Sequence, residues 1–456
     1  MRAIEVARAL NILHSGIDVE FTTIVTDSRN IKGGELFVAL IGERFNGHDF
    51  VKNAVEAGVA GVVVSEDIDV PNGIVKFLVN DTLKAYQEIA KAYRKNMKHL
   101  HVLAITGSNG KTSTKDMVSA CLAEKYTVVK TEASFNNEIG LPQTIFNIKQ
   151  DTQFAVLEMG MRGLNQIRAL CDIAVPETGI ITSVTETHME LLGSIDNIAK
   201  AKAEITEQLP TDGFAILNGD NEYVRKAAEN TVAQVFYFGM NKENDYYATD
   251  IAMNIDGTSF HCVEKCTGRS VNVSMPVLGL HNVYNALCAI TVARCYDVDI
   301  NDCVKALAKV ELTNKRLQVV NKAGIVFIDD SYNASPASMQ GAIKTLKLVK
   351  DGIDKEKHAR SIAVLSDMLE LGNVSREAHK KVGLWCAENE IDYLFVYGNE
   401  VADTYFEAKK NGVCSQYCKN LYDVVNCLEH VVREGDIVLL KGSHSMEVGK
   451  VLDYFG

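Results

Sequence analysis

A chain of 456 residues with 47% hydrophobic residues and 6 prolines can bury several cores, and at roughly 100–200 residues per domain it divides into about three. Its 47 Lys+Arg against 59 Asp+Glu give a formal charge of -12, which argues against a polyanion-binding surface and leaves nucleic acid a poor partner. The N-terminus scatters acid and base without an apolar core, and no apolar run approaches the ~20 residues that cross a bilayer, so a cytoplasmic protein without membrane insertion is expected.

In chain order, three sections separate where apolar strands end in glycine-rich or polar turns, the alternation expected of α/β units. The first, residues 1–98, holds Thr26-Asp27-Ser28-Arg29, Gly34-Glu35-Leu36-Phe37-Val38-Ala39-Leu40 and Gly47-His48-Asp49-Phe50. It closes on a helical stretch, 83–98, whose Lys91, Arg94, Lys95 and Lys98 read as a solvated face near a boundary. The second, 99–314, opens on an apolar run at 100–106 that suits a buried parallel strand, with further strands expected at 154–159, 178–184 and 214–217. Helical stretches lie between them, the pattern of a doubly wound sheet. The third, 315–456, repeats it with strands at 324–329, 361–365, 393–397 and 436–440. The 11 cysteines lack zinc-site spacing, since Cys262 with Cys266 and Cys414 with Cys418 are CxxxC pairs without a second pair, and reduced thiols are expected.

Directly after the strand ending at Thr106 comes Gly107-Ser108-Asn109-Gly110-Lys111-Thr112, and 113–122 reads as a helix. Strand, glycine turn and helix stand in the order of a phosphate loop. Glycines let backbone N–H groups converge on phosphate oxygens, Lys111 faces the outer phosphates and Thr112 can ligate magnesium. GxxGKT falls short of the full GxxxxGK[ST] spacing, so a glycine turn without a ligand is the alternative at this point. Glu158 ends the next apolar strand, where ligand groups of open α/β sheets gather, and can hold magnesium. Thr187-His188 follows a third strand and leads to a helix bearing Lys202 and Glu204. Each of these is ordinary alone, a solvated Glu or a satisfied His. Three strands ending in polar groups on one sheet edge make the case for an ATP–magnesium site.

These motifs resemble the Mur ligases, which join an amino acid or dipeptide to a UDP-muramoyl acceptor with ATP, and the match spans almost the whole chain. The resemblance rests on Asp27-Ser28-Arg29, the loop 107–112, Phe135-Asn136-Asn137-Glu138-Ile139-Gly140-Leu141-Pro142, Glu158, the His188 region and Ala201-Lys202-Ala203-Glu204. It continues through Gly279-Leu280-His281-Asn282-Val283-Tyr284-Asn285-Ala286, Arg316, and Asp330 in Asp329-Asp330-Ser331-Tyr332-Asn333. Without the rest, the HNxxN segment could be a capped helix and Arg316 with Asp330 a surface pair. Thr187 stands where the family commonly has alanine, and Glu132-Ala133-Ser134 where a glycine–asparagine pair is common.

The resemblance implies three domains: an N-terminal UDP-substrate domain (1–98), a central P-loop ATPase-like doubly wound sheet (99–314) and a C-terminal Rossmann-like α/β ligase domain (315–456). It implies that Gly107, Ser108, Asn109, Gly110, Lys111, Thr112 and Ser113 wrap the ATP phosphates, that His281, Asn282 and Asn285 face adenine, and that Asp330 holds ribose. Arg316 reaches the γ-phosphate from the third domain, which must close over the second. Lys111, His188, Lys202 and Arg316 are the implied catalytic set. Thr112, Glu158, His188 and Lys202, the last as a carbamate, would hold two magnesium ions. Ser28 and Arg29, with Asn136 and Asn137, would bind the acceptor.

Asp330 to Pro336 with Met339, Asp367-Met368-Leu369-Glu370-Leu371-Gly372 and Lys441-Gly442-Ser443-His444-Ser445-Met446 resemble the branch that adds D-alanyl-D-alanine to a UDP-N-acetylmuramoyl tripeptide. Lysine or diaminopimelate both fit as its third residue. The sibling branch that adds this third residue usually carries a DNPR-type motif, which is missing here. A folylpolyglutamate synthase shares the core but lacks the N-terminal DSR domain. A nucleotide-gated binding protein needs fewer catalytic groups than these. A monomer is expected.

Overall fold

The computed structural model describes residues 1–14, 16–187, 189–313, 315–352 and 359–455. Three sheets follow one another along the chain. The first is parallel and in chain order: β1 (Ile24–Val25), β2 (Leu36–Val38), β3 (Gly61–Val64) and β4 (Val75–Leu78). The helix Thr82–Lys95 closes this section. It is capped by the Asp81 carboxylate, which accepts Lys84 N–H at 3.0 Å, and it buries Ala85, Tyr86, Ile89 and Ala90.

Its basic end departs from the expected solvated face. Lys95 and Lys98 are exposed, but Arg94 Nε donates to the Ala174 carbonyl at 3.0 Å and Nη2 to that of Val175 at 3.2 Å. Those carbonyls end the helix Gln166–Ala174, where the last turn has no intrahelical donors to meet. Tyr93 Oη donates to Ile148 O at 2.7 Å and Gln87 Nε2 to Glu138 O at 3.1 Å. The helix therefore fastens the first sheet to the second.

The second sheet has nine strands: β5 (His101–Thr106), β6 (Val128–Lys130), β7 (Phe154–Glu158), β8 (Thr178–Ile181), β9 (Phe214–Asn218), β10 (Gln234–Gly239), β11 (Tyr246–Asn254), β12 (Gly257–Glu264) and β13 (Arg269–Met275). Their order is β13-β12-β11-β10-β9-β8-β5-β7-β6. Alternate residues of β5 feed opposite cores. Val102 and Ala104 pack with Ile167, Leu170, Ala201 and Ile205, while Leu103 and Ile105 pack with Met117, Val118, Val283 and Leu287. Helices thus cover both faces, and β5 to β10 form the doubly wound part. β8 ends at Ile181, three residues earlier than expected, because the chain turns there toward the phosphate loop. The antiparallel extension β11–β13 was not expected.

The third sheet runs β14 (Gln318–Lys322), β15 (Ile325–Asp329), β19 (Ile437–Lys441), β16 (Ser361–Ser366), β17 (Tyr393–Tyr397) and β18 (Cys414–Cys418), parallel except for β14. This is the expected Rossmann-like α/β arrangement. All 11 cysteines are free thiols. Among the described residues no helix is long and apolar enough to cross a membrane.

Candidate active site

The chain leaves β5 on one side toward β6 and β7 and returns on the other as β8, so the carboxyl ends of β5, β7 and β8 border one crevice, the usual ligand position in open α/β sheets. The loop 107–110 crosses it and the helix Lys111–Ala123 starts there. Gly110 has φ +86°, and a Cβ on it would lie 2.8 Å from Asn285 Oδ1. No other residue suits that position. Lys111 folds back so that Nζ donates to Gly107 O at 2.9 Å. Burial lowers its pKa and the Arg316 charge lowers it further, against the pull of the Glu158 carboxylate. Such an ammonium gains most from an anion placed beside it.

The segment after β8 forms the facing wall. Ser108 Oγ donates to Thr185 O at 3.2 Å, Asn109 Nδ2 to Thr185 Oγ1 at 3.1 Å, and Thr187 Oγ1 to Ser108 Oγ at 3.1 Å. The threonine that replaces the family's alanine is thus tied to the phosphate loop. His188, expected as a metal ligand, lies outside the described residues.

At the end of β7 the Glu158 carboxylate is buried and engaged at both oxygens. Oε2 accepts Thr112 Oγ1 and Oε1 accepts Asn136 Nδ2, each at 2.8 Å. Arg316 arrives from beyond the second sheet, its Nη2 donating to Thr112 Oγ1 at 3.0 Å and its guanidinium lying 4.1 Å from the Tyr332 ring centroid. Arg316 Nε is buried and has no hydrogen-bond partner among the described residues. A buried cationic donor left unpaired is what an anionic ligand would complete. Thr112 and Glu158 offer hard oxygens of the kind magnesium takes together with phosphates and water.

Lys202, in the helix Ile195–Glu207, is only 2% exposed. Among the described residues no carboxylate pairs with it, so a salt bridge to Glu158, the plain reading of a lysine here, does not form. Burial and then the Lys111 charge hold its pKa well below the usual lysine value. Its neighbour Glu204 serves another purpose, accepting Asn165 N–H at 2.6 Å and Arg168 N–H at 3.0 Å at the start of the helix Gln166–Ala174.

The remaining expected residues divide. Ser113 is buried beside Thr112. Asn282 and Asn285 are buried in a chain of bonds: Asn282 Nδ2 to Leu278 O at 2.7 Å, Asn285 Nδ2 to Asn282 Oδ1 at 2.9 Å, and Thr114 Oγ1 to Asn285 Oδ1 at 3.0 Å. His281 is exposed in the first turn of the helix Leu280–Cys295, which also carries Asn282 and Asn285. Asp330 accepts Lys441 Nζ at 2.6 Å and Leu317 N–H at 3.3 Å. Asn137 Oδ1 accepts Gly140 N–H at 2.9 Å at the start of the helix Gly140–Phe146. Ser28 and Arg29 lie in a short 3-10 turn of the first section, where Arg29 Nη2 donates to Asp27 at 2.7 Å.

Sequence reasoning missed Ser335, whose hydroxyl donates to Asn109 Oδ1 at 3.2 Å and joins the third section to the phosphate loop. Ser335 caps the helix Pro336–Asp351, and Ser-Pro before an apolar run is a legible cap signal. Its partner was not legible.

Three family descriptions match: the Mur ligase family catalytic domain over residues 20–110, the Mur ligase middle domain over 105–293 and the Mur ligase glutamate ligase domain over 315–444. The chain is 37% identical to the UDP-N-acetylmuramoyl-tripeptide–D-alanyl-D-alanine ligase of Bacillus subtilis, over 94% of this chain and 92% of the relative. It is similar in structure to MurF from Acinetobacter baumannii, with TM-score 0.88 and 27% identity over 99% and 97% of the two chains. It is also similar to the MurF ligase of Thermotoga maritima in complex with ADP, with TM-score 0.84 and 27% identity over 95% and 96%.

Proposed function

The chain belongs to the Mur ligase family, and from that premise we propose that it spends ATP to join D-alanyl-D-alanine to the terminal carboxylate of a UDP-N-acetylmuramoyl tripeptide, a step of peptidoglycan precursor synthesis. The observation that carries the reading is the convergence of Lys111, Thr112, Glu158 and Arg316 at one crevice. The printed activity of the Bacillus subtilis relative supplies the substrates. Action as a monomer in the cytoplasm belongs to the same proposal.

The tripeptide carboxylate oxygen attacks the γ-phosphorus of ATP, the bond to the β–γ bridging oxygen breaks, and ADP leaves. The amine of D-alanyl-D-alanine then attacks the acyl carbon, a proton is lost from nitrogen, and inorganic phosphate departs with one former carboxylate oxygen. Loop N–H groups and Lys111 hold the phosphates, and Arg316 offsets charge on the transferring group. Thr112 and Glu158, with His188 and Lys202, would hold two magnesium ions. When bound, these supply positive charge to the phosphate oxygens. Asn282, Asn285 and His281 face the adenine side and Asp330 the ribose. Ser28 and Arg29 anchor the uridine diphosphate end, and Asn136 and Asn137 line the acceptor's path. Binding energy gained that far away helps hold the carboxylate in line.

Lys202 acts as a carbamate in this account. Its buried amine, biased toward the neutral form, adds carbon dioxide to give R–NH–COO⁻ and a proton. The charge is reversed and two hard oxygens replace an ammonium that would repel the metals.

Phosphate release tests the reading. With ATP and magnesium present it should require both the UDP-muramoyl tripeptide and D-alanyl-D-alanine, and omission of either should reduce it to background. Equal release with neither, or with a folate and glutamate in their place, would reject it.

A further inference from the structure

We infer that Asp116 is the positioning residue that holds Arg316 at the phosphate site, an inference that rests on the role proposed above for Arg316. Asp116 follows Thr112 by four residues on the helix Lys111–Ala123, so both side chains leave the same face. Its buried carboxylate is engaged on every side. Oδ2 accepts the Thr313 backbone N–H at 3.1 Å and the Thr313 hydroxyl at 2.9 Å. Oδ1 accepts Lys130 Nζ at 2.7 Å and lies 3.6 Å from Lys115 Nζ. Burial works against ionisation here, but Lys130 and Lys115 outweigh it and keep the carboxyl below its ordinary pKa.

Thr313 lies three residues before Arg316, whose guanidinium reaches Thr112. The segment that crosses from the second sheet to the third is therefore fastened to one helix at two points, Asp116 behind and Thr112 ahead. Lys315 has φ +65° and Leu317 φ +50°. Both flank Arg316 in the left-handed region, which non-glycine residues keep only where their surroundings impose it. Lys315 donates its N–H to Gln318 Oε1 at 3.3 Å and accepts Tyr332 N–H on its carbonyl at 3.2 Å, Asp330 accepts Leu317 N–H at 3.3 Å, and Asp116 anchors Thr313 just upstream.

The same carboxylate reaches the metal side of the site. Lys130 ends β6, and the next residue, Thr131, accepts the Glu158 backbone N–H on its hydroxyl at 2.9 Å and Lys115 Nζ on its carbonyl at 2.7 Å. The Asp116 carboxylate makes no hydrogen bond to the side chains of Lys111, Thr112 or Glu158. It acts through Thr313, on the placement of the arginine. A merely structural ion cluster would stabilise the fold and leave turnover alone.

The test is a double-mutant cycle on the full chain with ATP, tripeptide and D-alanyl-D-alanine. Asp116→Asn should lower kcat about tenfold while KM for ATP stays within about twofold, because removing the charge weakens the hold on Thr313 along with the Lys130 and Lys115 pairs. Thr313→Val removes a single hydroxyl and leaves the buried charges in place, so it serves if Asp116→Asn does not fold, and it should lower kcat about threefold. Both losses should vanish in an Arg316→Ala background, because the placement they provide then has nothing to act on. Losses that multiply with Arg316→Ala, or an unchanged kcat beside a lowered Tm, would overturn the inference and leave Arg316's role intact. Full kcat in Arg316→Ala alone would remove that role and the inference with it.

Discussion

Lys111→Ala should lose turnover by about a thousandfold or more, the cost of removing a charge aimed at developing phosphoryl charge inside a partly buried site. Its fold should survive. The unliganded protein gains little from this ammonium, since burial and the Arg316 charge both disfavour the protonated form and its one hydrogen bond is to Gly107 O, 2.9 Å away. The variant's Tm without nucleotide should therefore match the parent's within a few degrees, and the rise in Tm caused by ATP and magnesium should shrink. Near-normal turnover in a folded Lys111→Ala protein would remove the ATP-site assignment.

A loss of about a hundredfold or more is expected for Lys202→Ala, on the scale of disrupting the groups that order a bound metal. The informative result is recovery. Alanine leaves a cavity where a carbamate would stand, and short-chain carboxylates such as acetate can bring two hard oxygens to it. Added acetate should restore part of the activity of Lys202→Ala and do nothing for the parent. Stripping carbon dioxide from the parent should lower its activity and bicarbonate should restore it, because only the neutral amine adds carbon dioxide and burial already favours that form. Full activity of the alanine variant, or a plain amine at Lys202 in active enzyme prepared with bicarbonate, would contradict the carbamate.

The phosphate loop was legible because its parts are local: a short apolar strand, two glycines at positions needing unusual φ, and a helix directly after. Glu158 was legible for the same reason, as a carboxylate closing an apolar run. Strands β11 to β13 were not. Much of β11 is exposed and its pairing with β12 slips between Thr249 and Ala252, so neither a continuous apolar run nor a clean alternation marks it. The edge strands β14 and β18 hid for a like reason, being mostly half-exposed or exposed.

Contacts between distant residues were beyond sequence pattern altogether. Nothing local in Lys115-Asp116 points to Thr313, 197 residues away, and Arg94 looks like any surface arginine until two helix-end carbonyls appear beside it. Arg316 shows both sides of this. Its motif was readable and its target in the second sheet expected, yet the stack on Tyr332 and the strained backbone flanking it follow only from packing.

The central claim is that ATP activates the tripeptide carboxylate for attack by the dipeptide amine. Its most direct measurement uses a UDP-muramoyl tripeptide whose terminal carboxylate carries ¹⁸O, turned over with ATP, magnesium and D-alanyl-D-alanine, with both products analysed by mass spectrometry. One labelled oxygen should appear in the inorganic phosphate, and the nucleotide product should be the tripeptide extended by D-alanyl-D-alanine. Label-free phosphate, or an unextended tripeptide beside released ADP, would contradict the account.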